Sequence, residues 1–138
     1  MHALRKLREA GPHTAADVEP LLAPQVAFHS PIFTKAVTGR ERVAQVFAQS
    51  SGVRAGRFTG EYRLDARTTL LRWEGSIAGR KLESLEIIVD DEHGRIVERT
   101  VAFRPFPAVA LFREAVYPTL HEWIAPEYWN YEDIAPNA

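Results

Sequence analysis

The spacing of hydrophobic residues changes along the chain and separates a helical part from a sheet part. Before residue 52, apolar side chains recur every three or four residues, which places them on one face of a helix. After this point the spacing is close to two over residues 57–67, 68–78, 82–90 and 95–104, as in strands whose side chains alternate between two faces. This order predicts an α+β fold in which helices are followed by an antiparallel meander.

Three helices and one short strand are predicted in the first part. Thr14 can act as an N-cap, and Thr38 with Glu41 has the spacing of a capping box. Pro and Gly residues end these segments because Pro cannot continue a helix and Gly is favoured just after one. The predicted helices cover about residues 4–10, 14–23 and 38–50, and the strand covers residues 26–30.

The closing segment is predicted to be a helix followed by an aromatic, acidic tail. Apolar residues between Val109 and Val116 have helical spacing, and Pro118 follows them. From residue 114 onward the chain carries five acidic residues and no lysine or arginine. We therefore divide a single predicted domain, residues 1–138, into a core of residues 1–117 and a tail of residues 118–138. The tail's aromatic residues are expected to pack on the core, with a lid or an interface arm as the alternative.

Composition limits the classes of function. A balance of 17 basic and 18 acidic residues gives no overall field to hold a polyanion, so nucleic acid is not expected as a partner. The absence of cysteine excludes disulfides and thiolate chemistry, and no metal or nucleotide-cofactor motif is present. No apolar stretch is long enough to span a membrane, and the first residues lack the apolar core of a signal peptide. A cytoplasmic protein without cofactors is therefore expected.

One predicted strand, residues 82–90, is apolar on both of its faces. The first face carries Leu85, Ile87 and Val89. The second face carries Leu82, Ser84, Glu86 and Ile88. A strand of this kind is covered on both sides, so we expect helices on one side and a partner subunit of a homodimer on the other.

Four short motifs lie at residues 21–31, 38–41, 91–96 and 101–105. In their order and spacing they resemble the SnoaL-like branch of the nuclear transport factor 2-like superfamily. The resemblance, which extends from about residue 4 to 116, implies a cone-shaped fold in which a curved antiparallel sheet wraps around the N-terminal helices and leaves a pocket, commonly in a homodimer. The superfamily includes ketosteroid isomerases, scytalone dehydratase, limonene epoxide hydrolase, polyketide cyclases and proteins that only bind ligands, so the fold does not decide the function.

The resemblance also allows a comparison with the ketosteroid isomerases, which share the hairpin at residues 91–96. It places Ser30 where those enzymes have a general-base carboxylate, Glu86 where they have a protonated oxyanion-hole acid, and Lys6 near a tyrosine. A serine hydroxyl without a neighbouring base is too weakly basic to remove a proton from carbon. Steroid isomerisation by that mechanism is therefore not expected, and residues 84–86 also depart from the Arg-x-Asp pattern of limonene epoxide hydrolase.

Glu86 departs most from its surroundings, because it is a carboxylate on a largely apolar side of its strand, which the resemblance assigns to the pocket. Arg99 on the next strand should face the same side, so we predict a Glu86–Arg99 ion pair. The pair is either a ligand anchor or catalytic group, or a structural pair in which each charge satisfies the other. The remaining predicted pocket residues are Phe28, Ser30, Leu71, Trp73, Ser84, Ile88, Val101 and Phe103.

Three hypotheses about function follow. In the first, a homodimer binds a small, mostly apolar organic molecule in the pocket. In the second, a cofactor-free isomerase, cyclase, dehydratase or epoxide hydrolase-like enzyme uses Glu86 as acid or base and Arg99 as its partner. In the third, the protein is a non-catalytic dimeric scaffold with a filled interior. His29 is predicted to point outward, and Arg104 to bind carboxylates or helix C-termini.

Overall fold

The computed structural model describes residues 1–130, which contain four α-helices and six β-strands. The helices are α1 (Ala3–Glu9), α2 (Ala15–Val18), α3 (Arg40–Ser51) and α4 (Phe106–Leu120). The strands are β1 (Leu22–His29), β2 (Val37–Thr38), β3 (Ala55–Arg63), β4 (Thr68–Ile77), β5 (Arg80–Asp90) and β6 (Ile96–Arg104). Short 3-10 turns cover Glu19–Leu21 and Pro126–Tyr128.

The strands form one curved, unclosed sheet in the order β2-β1-β6-β5-β4-β3. Strands β3 to β6 are the predicted antiparallel meander. Strand β1 pairs in parallel with β6 and antiparallel with β2, so the complete sheet is mixed. The predicted α+β class is confirmed.

The second predicted helix is shorter than its sequence pattern indicated, and the first strand is longer. Helix α2 ends at Val18, and Pro20 then lies in a 3-10 turn because it has no N–H to continue the helical ladder. Strand β1 begins at Leu22, so Pro24, which was predicted to end a helix, lies inside a strand. The missing N–H is tolerated there because the pairing with β6 is irregular between Leu22 and Ala27.

The last helix continues beyond the predicted boundary of the core. Helix α4 passes through Pro118 and ends at Leu120, which is fully buried. Trp129, in the predicted tail, is also buried, and its indole N–H donates a hydrogen bond to the carbonyl of Ile124 at 3.1 Å. This part of the tail packs on the core, while Tyr131 lies outside the described residues.

The two faces of the sheet differ in burial. The face that carries Glu86 and Val101, called the concave face below, is covered by the helices and holds the core. On the opposite face Tyr62, Leu85 and Ile87 remain 51%, 48% and 41% exposed. The predicted alternation along β5 is therefore present, but no described part of the chain covers its Leu85 side.

Two glycines on neighbouring strands make room for a tryptophan on the concave face. Gly56 of β3 and Gly75 of β4 stand opposite each other. A Cβ atom on either residue would collide with the backbone of the opposite strand and with the indole of Trp73. The glycine pair therefore allows the Trp73 side chain to lie close against the sheet, where it is 4% exposed.

We expect the Gly75→Ala substitution to lower the free energy of unfolding by about 1–3 kcal/mol, because the added methyl group overpacks this contact. Urea unfolding followed by tryptophan fluorescence measures the change. The control is Gly52→Ala, at a position where a Cβ meets no atom within 4 Å. Equal stability of the two variants would contradict the close packing of Trp73.

Candidate functional site

A buried ion cluster lies on the concave face with Glu86 at its centre. The fully buried Glu86 carboxylate accepts a hydrogen bond from Arg99 Nη2 at 2.6 Å. Nη1 of Arg8, on α1, donates to both carboxylate oxygens at 3.1 and 3.3 Å. The predicted Glu86–Arg99 ion pair is therefore confirmed, and a second arginine that the sequence analysis did not identify joins it.

The register of two strands brings the predicted pair together. Glu86 on β5 stands opposite Val101 on β6, and Ile88 stands opposite Arg99. Arg99 is thus the diagonal neighbour of Glu86 on the same face, within reach of a long side chain. The pair follows directly from the alternation of side chains along both strands.

Helix α1 supplies Arg8 because its first turn is fixed to the sheet. The Nδ1 atom of His2 accepts the N–H of Leu4 at 3.1 Å, so the proton is on Nε2, which contacts the Asp90 carboxylate at 2.9 Å. Leu4 is buried, and Arg8 lies four residues further along the same helix face. Lys6 is exposed, so α1 presents Arg8 to the site and not the residue that the family resemblance indicated.

A third arginine, Arg54, follows α3 and extends among aromatic rings. Its Cζ atom lies 4.8 Å from the centre of the Trp73 ring and 4.9 Å from that of Phe103. Its Nε and Nη1 atoms are shut off from solvent and have no hydrogen-bond partner among the described residues. The rings stabilise the cation through their faces, but the N–H groups are not satisfied.

Arg99 has a similar environment. Its Cζ atom lies 5.2 Å from the ring centre of Phe28 and 4.4 Å from that of Phe47. Although Nη2 donates to Glu86, the buried Nε atom has no partner within residues 1–130. Arg54 and Arg99 therefore both carry buried N–H groups that donate no hydrogen bond within residues 1–130.

The charges of the cluster do not balance. Three guanidinium groups, those of Arg8, Arg54 and Arg99, influence the single carboxylate of Glu86. A buried charge is costly unless an opposite charge compensates it. Positive charge is therefore left over in the cluster after Glu86 is satisfied.

The cluster fixes the ionisation of Glu86. Burial by itself raises the pKa of this carboxyl group, but the positive charges of the three arginines outweigh it and lower the pKa to about 2. Glu86 is therefore an ionised hydrogen-bond acceptor at neutral pH.

Burial, reinforced by the like charge of Arg8, lowers the pKa of Arg54 well below its ordinary value. The Arg54 cation is thus held at an energetic cost.

A small cavity, called the inner cavity below, adjoins the cluster. It has a volume of about 30 Å³, enough for about two water molecules. Five of the predicted pocket residues line it, namely Phe28, Ser30, Arg99, Val101 and Phe103. At the position of the predicted apolar pocket, this cavity is therefore too small for an organic molecule.

The other predicted pocket residues lie on the same face but do not line this cavity. They are Leu71, Trp73, Ser84, Glu86 and Ile88, and all five are buried. The reason is steric: the Arg8 guanidinium lies on Glu86, and the Arg54 guanidinium lies over the rings of Trp73 and Phe103. Ser84 stands between these two rings in register. The space that the sequence analysis assigned to a ligand is thus partly occupied by arginine side chains.

A larger groove, called the outer groove below, lies next to the same arginines. Its volume is about 460 Å³, which is in the range of sites for small organic molecules. It is lined by residues 11–13, 51–52 and 54–58 together with Arg8, Glu9 and Trp73. Arg8 and Arg54 line both the cavity and the outer groove, so the two spaces meet at the arginine cluster.

His13 stands at the same junction. Its ring lines both spaces, and its buried Nδ1 atom has no hydrogen-bond partner in the described part of the chain. Burial, with the nearby charge of Arg8, lowers the pKa of this imidazole below its ordinary value, so it is neutral at pH 7. His13 therefore adds a polar group but no charge.

Ser30 does not act with a neighbouring base. Its Oγ atom lines the cavity and accepts the N–H of Ile32 at 3.3 Å.

His29 points outward, as predicted, and contacts an exposed carboxylate of β6 at 3.2 Å. Arg104 donates to Glu83 at 2.9 Å, in agreement with the expectation that it binds carboxylates.

Sequence reasoning missed Arg8, Arg54 and His13. The spacing of Leu4 and Arg8 is the one signal that could have identified Arg8, because it places both on the same face of a helix. Arg54 and His13 lie in connections that have no periodic pattern. Only the packing of α1 and α3 on the sheet brings them to Glu86.

Within residues 1–130, no group of three or more histidine, aspartate or glutamate side chains is arranged to hold a metal ion. No helix in that part of the chain has both the length and the apolar character needed to cross a membrane.

The sequence matches no family model and no curated protein, but its structure resembles several solved structures. One is an uncharacterised protein with a cystatin-like fold from Silicibacter pomeroyi, with a TM-score of 0.77 and 24% identity over 86% of this chain and 85% of that chain. A steroid delta-isomerase from Pseudomonas aeruginosa has a TM-score of 0.76 and 23% identity over 88% and 87% of the two chains. A protein of unknown function from Cytophaga hutchinsonii, described as NTF2-like, has a TM-score of 0.56 and 16% identity over 77% and 84%. The fold is therefore nuclear transport factor 2-like, and identities this low show the fold alone.

The pKa of Glu86 gives a pH dependence of stability. Because the pKa of Glu86 is about 2 in the folded chain and 4.5, its ordinary value, in the unfolded chain, the ionised carboxylate contributes its full stabilisation above about pH 5. We expect this contribution, about 3 kcal/mol, to disappear as the pH falls from 5 to 2. Urea unfolding over this pH range measures the loss.

Two further measurements test the assignment to Glu86. The Glu83→Gln variant, which removes a partly exposed carboxylate of the same strand, should keep the same pH dependence. Carboxyl ¹³C NMR should show the Glu86 side chain still ionised at pH 3. Titration of that resonance near pH 4.5 would contradict the role of the arginines.

Proposed function

We propose that the protein binds a small, mostly apolar organic molecule whose body lies in the outer groove and whose polar end reaches the arginine cluster. The observation that carries this proposal is the outer groove itself, about 460 Å³ in volume and ending at Arg8 and Arg54. Small-molecule sites usually combine an apolar wall with a few converging polar groups. Phe58 and Trp73 provide the apolar wall here.

The catalytic alternative has weaker support. An acid or base must release or accept a proton near neutral pH, whereas the charges of the arginines hold the pKa of Glu86 at about 2. Ser30 supplies only a hydroxyl, and its oxygen already accepts the N–H of Ile32. The activity in the name of the Pseudomonas aeruginosa structure is therefore not part of the proposal.

The scaffold alternative has one observation in its favour, which is the small volume of the inner cavity, about 30 Å³. It also requires the aromatic tail to be buried against another protein. Trp129 is instead buried within its own chain, on Ile124 and the rest of the core. The outer groove and its unused donors favour ligand binding over the scaffold.

We also propose that the protein forms a homodimer through the exposed face of the sheet and works in the cytoplasm, as a member of the SnoaL-like branch. Tyr62, Leu70 and Ile87 are neighbours in register on this face, and Leu85 lies beside Ile87 on the same side of β5. A second copy would remove this apolar surface from water, and a two-fold interface uses the same patch on both subunits.

Ligand binding is tested first by native mass spectrometry of the purified protein. We expect a small organic molecule to co-purify, to be lost on denaturation, and to be retained poorly by the Phe58→Ala variant, which removes an apolar wall. A ligand at about 100 times its Kd should stabilise the fold by about 2.7 kcal/mol, which a thermal shift detects. The matched control is Phe106→Ala, which removes the same side chain from an exposed position at the start of α4.

An empty protein that also gives no thermal shift with a panel of small organic molecules would contradict the proposal. It would favour the scaffold alternative instead.

The homodimer is tested with Ile87→Glu, which places a charge in the exposed apolar patch. We expect this variant to elute as a monomer in size-exclusion chromatography with light scattering, while the wild type elutes as a dimer. The control is Ala16→Glu, which adds the same charge on exposed helix α2. A dimeric Ile87→Glu protein would contradict an interface on this face.

A further inference from the structure

The arginine cluster holds hydrogen-bond donors that its own carboxylate does not use. Nε and Nη1 of Arg54 and Nε of Arg99 are buried and have no partner among residues 1–130. Both side chains line the inner cavity. A buried donor without an acceptor costs free energy that a suitable ligand would recover. The missing group is therefore a hydrogen-bond acceptor.

The charge at the site indicates which kind of acceptor fits. Glu86 compensates one of the three cations, and the carboxylate that lines the outer groove, on Glu9, is held by Arg5 at 2.9 Å. The faces of Trp73 and Phe103 stabilise Arg54 but supply no negative charge. An anion would supply both the missing charge and the missing acceptors.

The size of the cavity restricts the anion further. A volume of about 30 Å³ accommodates about two oxygen atoms of the size of water. This matches a planar carboxylate, which has two oxygens, better than a phosphate or sulfonate head, which has three free oxygens. A carboxylate also accepts charge-assisted hydrogen bonds from guanidinium N–H groups.

We infer that the ligand is an organic acid whose carboxylate binds Arg54 and Arg99 in the inner cavity while its apolar body extends into the outer groove along Phe58 and Trp73. Arg8 and Arg54 line both spaces, so the two ends of such a molecule would lie on either side of these side chains. The inference rests on the proposed function and adds the chemical class of the ligand. Arg8 already donates a hydrogen bond to Glu86 and positions the Glu86 carboxylate, so Arg8 is not the main hydrogen-bond donor to the ligand.

The test compares acids with their neutral amides, which have nearly the same shape. Benzoate, phenylacetate and hexanoate are titrated into the purified full chain at pH 7 and constant ionic strength, each against benzamide, phenylacetamide or hexanamide. Isothermal titration calorimetry gives Kd, and a thermal shift gives an independent reading. We expect at least one acid to bind roughly 10- to 100-fold more tightly than its amide, because a hydrogen bond to a charged group adds this much.

Arg54→Met tests the assignment of the carboxylate to this residue. We expect the variant to bind the acid no better than the amide, because methionine keeps an unbranched, flexible side chain but has neither charge nor donors. Its thermal stability without ligand should equal or exceed that of the wild type, since an uncompensated buried cation is removed. The matched control, Arg57→Met, removes an exposed arginine of the same groove and should keep the preference for acids.

The outcomes separate this inference from the proposed function. Equal binding of acids and amides by the wild type would overturn the carboxylate inference and leave the proposed function standing. Binding of neither class would overturn both. An acid preference that survives in Arg54→Met but not in Arg57→Met would overturn the assignment to the inner cavity. The wild-type comparison decides the ligand class even if Arg54→Met fails to fold.

Discussion

The burial of one carboxylate on the sheet is the constraint on which the site depends. Glu86 has no access to water, so its charge must be compensated within the chain. Arg99 does this from the neighbouring strand and Arg8 from the N-terminal helix, which couples α1 to the sheet through an ion pair. Removal of one partner from such a pair leaves an uncompensated buried charge, so helix and sheet are held in a single arrangement.

The third arginine depends on a different constraint, which is the shape of the sheet. Gly56 and Gly75 leave room for the indole of Trp73 to lie against the strands, and this ring receives the guanidinium of Arg54. Side chains at the two glycine positions would displace the ring. The position of a charged group in the site is thus set by two residues that have no side chain.

Sequence reasoning could predict the parts of the site that depend on local periodicity. The alternation along β5 and β6 places Glu86 and Arg99 on one face, and their diagonal contact follows from the register. Arg54 and the volume of the cavity could not be predicted, because both depend on how side chains distant in sequence fill a shared space. Pro24 was wrongly predicted to end a helix for a related reason. It lies in a strand because the pairing of that strand is irregular there, and an irregular pairing can include a residue that lacks an N–H.

The same fold can support opposite electrostatics at one strand position. By resemblance, Glu86 occupies the place where ketosteroid isomerases have a protonated acid, which donates a hydrogen bond to a neutral oxygen. Here the positive charges of the arginines lower the pKa to about 2, so Glu86 only accepts hydrogen bonds. The donors of the site are guanidinium groups instead, and they carry charge that Glu86 does not fully compensate. The organic acid proposed above would be selected by its negative charge, whereas a protonated acid selects a ligand by an oxygen that becomes negative during the reaction.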